Sequence, residues 1–254
     1  MKRAFDLCLT GFALVAGVIP LTLIALVVKL TSRGPVLYWS DRIGRDNRIF
    51  RMPKFRTMRV DTPEVASHLL DDPDRWLTPI GNLLRRTSLD EFPQLWNIVR
   101  GDMSLVGPRP ALHNQHDLIA LRTFHGVHRL LPGLTGWAQI NGRDETSIAE
   151  KVALDTHYLH NRSFRFDIEI LVRTFLQVIL RKGTSVPDGL RGVAEQAVPA
   201  EAFLSSAAVW FEQGALEKAL ADCDRAIRLD PGNAVAHNSR STFLAAQSEH
   251  AAGH

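Results

Sequence analysis

The longest uninterrupted apolar run lies near the start of the chain, where Leu7 to Val28 give 22 positions without a charge. That length reaches the threshold for a membrane segment. Apolar residues recur at helical spacing from Ile80 to Val99, interrupted by Thr87-Ser88 and Pro93, and residues 146–160 also read as a helix. From Phe166 to Lys182 an amphipathic helix is expected: Ile168, Leu171, Val172, Phe175, Leu176, Ile179 and Leu180 form one stripe, and Arg173, Arg181 and Lys182 the polar side. Such a basic amphipathic helix either packs in a core or lies on an anionic membrane surface, and the surface is the favoured reading in a chain already attached to a membrane. Short strands are predicted around Pro35–Trp39 and Ile49–Met58, separated by the polar stretch Asp41–Arg48. Residues 61–75 are acidic and predict a loop or exposed helix, while residues 101–110 and 131–143 are Gly/Pro-rich loops.

The apolar run admits more than one topology. Lys2-Arg3 followed by apolar residues resembles a cleaved leader, but the run continues well past the usual length, beyond Pro20. A straight spanning helix is opposed by Pro20, which removes one backbone hydrogen bond and clashes with the carbonyl four residues earlier. It is also opposed by the flanks. Lys2 and Arg3 precede the run, and Lys29, Arg33 and a stretch with eight bases and two acids over residues 33–59 follow it. Positive charge marks the cytoplasmic side, so a helix broken at Pro20 that enters and leaves by one face satisfies both ends. Gly17 and Thr22 would ease the bend, a threonine hydroxyl being able to satisfy a freed carbonyl. Re-entrant and spanning forms both stay open on composition.

Charge divides the chain of 254 residues. Residues 187–254 hold five Lys/Arg against nine Asp/Glu, and residues 1–186 hold 25 against 18. A basic body with an acidic tail predicts two units with different partners. Residues 187–199 form a Pro/Gly-bearing linker. Over residues 200–233, Phe203, Ala207, Trp210, Ala219, Cys223, Ala226 and Pro231 match the packing positions of one tetratricopeptide repeat. One repeat and a stub fall short of the usual minimum of about three, so this segment needs a neighbour: the body, a second copy, or another protein. An ordinary helical hairpin fits the same residues. Cys8 and Cys223 lie far apart with no CxxC pair, which excludes a disulfide framework and fits a reducing compartment.

The densest chemistry is the run Arg85-Arg86-Thr87-Ser88-Leu89-Asp90-Glu91-Phe92-Pro93. Ser88-x-x-Glu91 is the pattern of a helix capping box, in which acids favour the first turn. The same adjacent carboxylates beside two arginines also fit a reactive centre. The two roles are compatible, because a carboxylate at a helix N-terminus is held ionised, as a nucleophile must be. Lys54 and Arg56 share a face if they lie on a strand; Arg109 lies between prolines, and Arg143 closes an Asn-Gly-Arg turn. Singly these are ordinary surface bases. Together, in rigid loops, they suit a phosphate-rich substrate. Nucleic acid is disfavoured because the bases are not interleaved with exposed aromatics. The pairs His113/His116, His125/His128 and His157/His160 lack the internal Glu or nearby Cys of a zinc site. No Walker A, GxGxxG or GxSxG motif is present.

Across about residues 1–185 the chain resembles the bacterial sugar transferases that act as monotopic polyprenyl-phosphate phosphoglycosyl transferases. The matching pieces are the apolar segment with Pro20, Lys54-Phe-Arg-Thr-Met58, Thr87-Ser-Leu-Asp-Glu-Phe-Pro-Gln-Leu-Trp-Asn97, Gly101-Asp-Met-Ser-Leu-Val-Gly-Pro-Arg-Pro110 and Pro132-Gly-Leu-Thr-Gly-Trp-Ala-Gln-Ile-Asn-Gly-Arg143. The resemblance implies transfer of a sugar 1-phosphate from a UDP-sugar to undecaprenyl phosphate, with release of UMP, to begin a lipid-linked glycan such as exopolysaccharide, capsule or O-antigen. It implies Asp90 as nucleophile and Glu91, with Mg²⁺, as the group that positions the diphosphate. Arg85, Arg109 and Arg143, with Lys54 or Arg56, are the implied phosphate-binding bases. It also implies a re-entrant helix broken at Pro20 and an active site on the cytoplasmic face of the bacterial inner membrane. It says nothing about residues 187–254.

The expected fold is α+β and mostly helical: a re-entrant membrane helix over 1–32, a small catalytic domain with short strands and interfacial helices over 33–186, a linker over 187–199, and a tetratricopeptide-like helical hairpin over 200–254. The tail is expected to serve self-association or a protein partner through residues 200–247. An inactive membrane scaffold that recruits assembly partners is the alternative to the enzyme, and an ordinary glycosyltransferase would release UDP in place of UMP.

Overall fold

Helix α1 (Lys2–Thr31) takes up the whole apolar run and continues through Pro20. It belongs to a computed structural model that describes residues 1–62, 73–142, 147–180 and 198–252. The chain forms two compact units, Met1–Arg42 with Phe50–Leu105, and Ile43–Ile49 with Val106–His254. Among the described residues α1 is the one helix long and apolar enough to cross a membrane, and only 11% of its most apolar stretch is buried. Thr22 donates to the Val18 carbonyl at 2.7 Å. The carbonyl that Pro20 deprives of a partner is that of Ala16, so the hydroxyl serves a different carbonyl from the one expected.

In the first unit α1 is followed by β1 (Leu37–Ile43) and β2 (Ile49–Phe55), neighbours in one sheet. The first strand is longer than its apolar stretch suggests and runs on into the polar residues Asp41-Arg42. Helix α2 (Gly81–Thr87), a 3₁₀ segment over Leu89–Gln94, helix α3 (Leu95–Arg100) and β3 (Ser104–Val106) follow. The helical spacing from 80 to 99 is thus realised as three short pieces. Val28, Phe55 and Leu84 form the core, with Leu21, Ile24, Ala25, Val36, Leu37, Ile80 and Leu89 packed on it, so the second half of α1 is part of this core.

Both ends of α1 are tied to the unit by polar contacts. Arg3 donates to the Ile98 and Val99 carbonyls at 2.6 and 3.0 Å, satisfying the end of α3. Buried Asp6 accepts from the Ser104 hydroxyl at 2.8 Å. At the other end Arg56 donates to the Ser32 carbonyl, the Ser32 hydroxyl and the Pro35 carbonyl at 3.1, 2.8 and 2.7 Å. Outward from α1, Phe12, Val15, Val18, Ile19 and Leu23 are exposed.

The second unit contains β4 (Ala111–Leu112), α4 (His116–Phe124), β5 (Gly133–Thr135), α5 (Trp137–Gly142), α6 (Ile148–Asn161) and α7 (Phe164–Leu180). The C-terminal helices are α8 (Ala200–Glu212), α9 (Leu216–Leu229) and α10 (Ala234–Ala252). A capping box does form here, between Ser147 and Glu150 at the start of α6. Gly107, Gly133 and Gly136 sit where two backbones approach so closely that a Cβ on any of them would strike main-chain atoms. Helix α7 is two-sided: Ile170 and Asp167 are buried, whereas Val172, Phe175, Leu176 and Val178 are exposed.

Helices α4 and α8–α10 share one core, with Leu118, Ile119, Phe203, Ala207, Trp210, Ala219, Cys223, Ala226 and Phe243 all buried in it. The C-terminal segment thus packs on α4 of the body, and the segment expected as a stub is a 19-residue helix. The linker over 187–199 and the acidic stretch 61–75 lie largely outside the described residues.

Candidate active site

The dyad is positioned by how α2 ends. Ser88 adopts a left-handed conformation (φ 57°) and its N–H returns to the Leu84 and Arg85 carbonyls. With that backbone Ser88 terminates one helix and makes no side-chain cap for the next, so the expected Ser88–Glu91 capping box is not formed. The chain enters a 3₁₀ segment carrying Asp90, Glu91 and Pro93, and becomes α-helical again at Leu95. Freed from a capping role, Glu91 accepts from the Lys54 ammonium at 2.7 Å, both side chains being less than one-fifth exposed.

Asp90 is 8% exposed. Burial is the dominant influence on it and pushes its carboxyl above the ordinary carboxylate range. Lys54 opposes that shift, Glu91 adds to it and Arg85 opposes it, which places these three charges within electrostatic reach of Asp90. The reading that a helix N-terminus keeps Asp90 ionised is thereby corrected: desolvation is the larger influence on the carboxyl, and Lys54 and Arg85 offset it only in part. Arg85 donates through Nε to the Thr57 hydroxyl at 3.0 Å.

Lys54, Arg85, Asp90 and Glu91 thus come together in the first unit. Arg56, though two residues from Lys54, is buried and spends three hydrogen bonds at the foot of α1. It holds the helix end. Arg109 belongs to the second unit, where it lines a small cleft with Asn47, Arg122 and His128. Arg143 lies outside the described residues. Three supporting residues escaped sequence reasoning. Thr57 holds Arg85. Fully buried Asn97 donates to the Arg51 carbonyl and to Asp102 at 2.9 and 3.2 Å, fixing the end of the dyad segment against β2. Gln94 is buried directly after Pro93, and among the described residues its Nε2 meets no acceptor. A polar residue within a dense, mostly apolar run was the available signal for Gln94 and Asn97; Thr57, set among bases, carried none.

The first unit therefore combines a long, outward-facing apolar helix with a buried carboxylate that shares its field with a lysine, a glutamate and an arginine. A profile described as bacterial sugar transferase matches residues 1–181, and the chain belongs to that family. It is 41% identical over 199 residues to the undecaprenyl-phosphate glucose phosphotransferase of Komagataeibacter xylinus, a match covering 71% of this chain and 36% of that protein. The UDP-glucose:undecaprenyl-phosphate glucose-1-phosphate transferase of Escherichia coli (strain K12) is 40% identical over 190 residues, covering 72% and 41%. The exopolysaccharide production protein ExoY of Sinorhizobium fredii is 39% identical over 202 residues, covering 72% and 87%. The chain thus spans well under half the length of the first two relatives and most of the third.

Proposed function

We propose that this protein transfers a sugar 1-phosphate from a UDP-sugar to undecaprenyl phosphate and releases UMP, the first step of a lipid-linked glycan such as an exopolysaccharide. The observation that carries the reading is Asp90: a buried carboxylate beside Lys54, Glu91 and Arg85, in the unit that also packs the apolar helix.

In this reading a carboxylate oxygen of Asp90 attacks the β-phosphorus of the donor. The Asp90 O–P bond forms as the bond from that phosphorus to the oxygen bridging to the α-phosphate breaks, and UMP leaves with the bridging oxygen. A phosphate oxygen of undecaprenyl phosphate then attacks the same phosphorus, restoring the Asp90 carboxylate and leaving a lipid diphosphate sugar. Lys54 and Arg85 favour the ionised carboxylate before attack and offset negative charge on the donor. Arg109 and Arg143 are the remaining bases that the family pattern assigns to phosphates.

In this reading Mg²⁺ is shared between Glu91, which here accepts from Lys54 at 2.7 Å, and the donor phosphates. Among the described residues no group of three or more His, Cys, Asp or Glu could hold a metal by itself, and Mg²⁺ is commonly held by one or two carboxylates plus substrate phosphates. Glu91 would hold it. When bound, the ion supplies charge neutralisation at the diphosphate.

The apolar helix brings the site to its lipid substrate. Both its ends are held by one folded unit, through Arg3 and Asp6 at one end and Arg56 at the other. A straight 30-residue helix is about 45 Å long, and irregular structure is not exposed to lipid along such a length. This supports a helix that enters and leaves by one face. Bases at both flanks support the cytoplasmic face of the bacterial inner membrane. The exposed Val172, Phe175, Leu176 and Val178 of α7, with Arg173, would rest on that leaflet.

The test is nucleotide release from purified protein given undecaprenyl phosphate, Mg²⁺ and a panel of UDP-sugars, with Asp90→Asn as control. UMP from one donor, absent in the variant, is the expected result. UDP as product, or UMP release unchanged in the variant, overturns the reading.

A further inference from the structure

Helix α4 lies at a crossing of contacts. Its Arg122 donates to Asp155 of α6 at 2.9 and 2.6 Å and, through Nη1, to the main-chain carbonyl of Arg109 at 2.8 Å. Its Thr123 accepts from the buried Asn47 amide at 2.9 Å. On its apolar side α4 shares the core of α8–α10, where Ala202, Ala207, Ala219, Ala226 and Ala236 are no more than 1% exposed. The tail is itself tightly made. Phe211 and Phe243 stack with ring centroids 4.3 Å apart, Lys218 covers the Trp210 ring at 4.6 Å, and Arg240 pairs with Asp224 at 2.6 Å. A second contact bypasses α4: Gln213 at the end of α8 donates to the main-chain carbonyl of Asp46 in the turn that also carries Asn47.

We propose that α8–α10 acts in cis as a brace for the Arg109 loop. The tail covers the apolar face of α4, α4 carries Arg122, and Arg122 holds the carbonyl of the residue whose side chain lines the cleft with Asn47 and His128. Small side chains at the buried positions bring the helices close, so the coupling runs through stiff backbone, which an exposed α4 would lack. The residues of this tail are positioning residues. They set where the Arg109 guanidinium stands, and they touch neither donor nor acceptor. The kinetic part of this inference rests on Arg109 as a phosphate-binding base of the proposed transferase. The structural part does not.

The experiment uses full-length protein in nanodiscs and two variants. Gln213→Ala deletes one hydrogen bond from the tail to the 44–48 turn. Ala207→Asp buries a charge in the shared core, and it is read only where its circular dichroism matches the parent. Hydrogen exchange is followed over 107–124 and 198–247, and kcat and KM are measured with the UDP-sugar that the parent turns over. The brace predicts faster exchange in 107–124, on the order of tenfold for Ala207→Asp and less for Gln213→Ala. It also predicts a KM raised about fivefold with kcat little changed, the pattern of a lost ground-state contact. Faster exchange confined to 198–247, with 107–124 and KM unmoved, overturns it and makes the tail an independent module. A parent that releases UMP from no donor defeats the proposed function, while exchange over 107–124 still decides whether the tail braces α4.

Discussion

Asp90 and Asp155 are both buried aspartates near an arginine, and burial pushes both carboxyls upward. Their surroundings differ in one respect. Arg122 gives Asp155 two hydrogen bonds, so that pair is closed. Around Asp90 the cations have hydrogen-bond partners elsewhere: Lys54 on Glu91 and Arg85 on Thr57. They act on Asp90 through their fields. A buried acid with its arginine locked in place is a structural joint. In the proposed reaction a buried acid whose cations have partners elsewhere is the one that attacks phosphorus.

The comparison breaks most sharply at the two aspartates themselves. Asp90→Asn should abolish UMP release, by more than about a thousandfold, without weakening the fold. Burial raises the Asp90 pKa in the folded state, so this group stabilises the fold at low pH and loses that contribution as pH rises through its folded value. The variant should therefore melt at or above the parent temperature near pH 8 and no higher near pH 4. Asp155→Asn should do the reverse. It takes the carboxylate from Arg122, which keeps its bond to the Arg109 carbonyl, costs about 3–5 kcal/mol of stability, and shows in thermal melts before it shows in chemistry.

Next in size is Lys54→Met, expected to cost about a hundredfold in kcat/KM. Lys54 favours ionised Asp90, so its removal lets the carboxyl rise further. Activity needs the ionised form and fails as pH falls through that value, so the acid limb of the pH–rate profile should move to higher pH. An unmoved limb would show that Lys54 does not act through the Asp90 charge.

Arg56 and Arg85 sharpen the same contrast among bases. Arg56→Ala takes the charged donor from the Pro35 and Ser32 carbonyls at the foot of α1 and should cost about 1–3 kcal/mol in stability. Arg85→Lys should leave the melt unchanged and lower kcat/KM about tenfold, because a lysine loses the planar fork. The smallest effect is at the thiols. Burial pushes Cys223 up to about 11, so it should resist maleimide until the tail unfolds. Exposed Cys8 on α1 should react in detergent-free denaturant and be shielded in vesicles.

The long periodic elements were legible because each depends on its own residues. The 22-residue apolar run, the stripe up to Leu180 and the alanine-rich positions of the tail all became helices, Arg181 and Lys182 lying outside the described residues. Helix α4 escaped because it has only nine residues and its apolar positions run together over Leu118–Leu121, which shows no helical period. The capping box was read at Ser88–Glu91, but it forms at Ser147–Glu150. The same pattern caps a helix only where the first residue is extended, and Ser88 is left-handed. Lys54 and Arg56 alternate correctly along a strand, yet local spacing holds no information about which partner each meets.

What the residues determined by themselves was the inventory: an apolar helix, a basic body, two adjacent carboxylates among arginines, and an acidic alanine-rich tail. These follow from hydrophobic length, charge and spacing, which are properties of short stretches. Only tertiary structure decided the assignments within that inventory. Lys54 faces Glu91, Arg56 anchors α1, burial raises Asp90, and the tail lies on α4. Each of these joins residues distant along the chain, and desolvation and pairing exist only once the fold has brought such residues into one low-dielectric place.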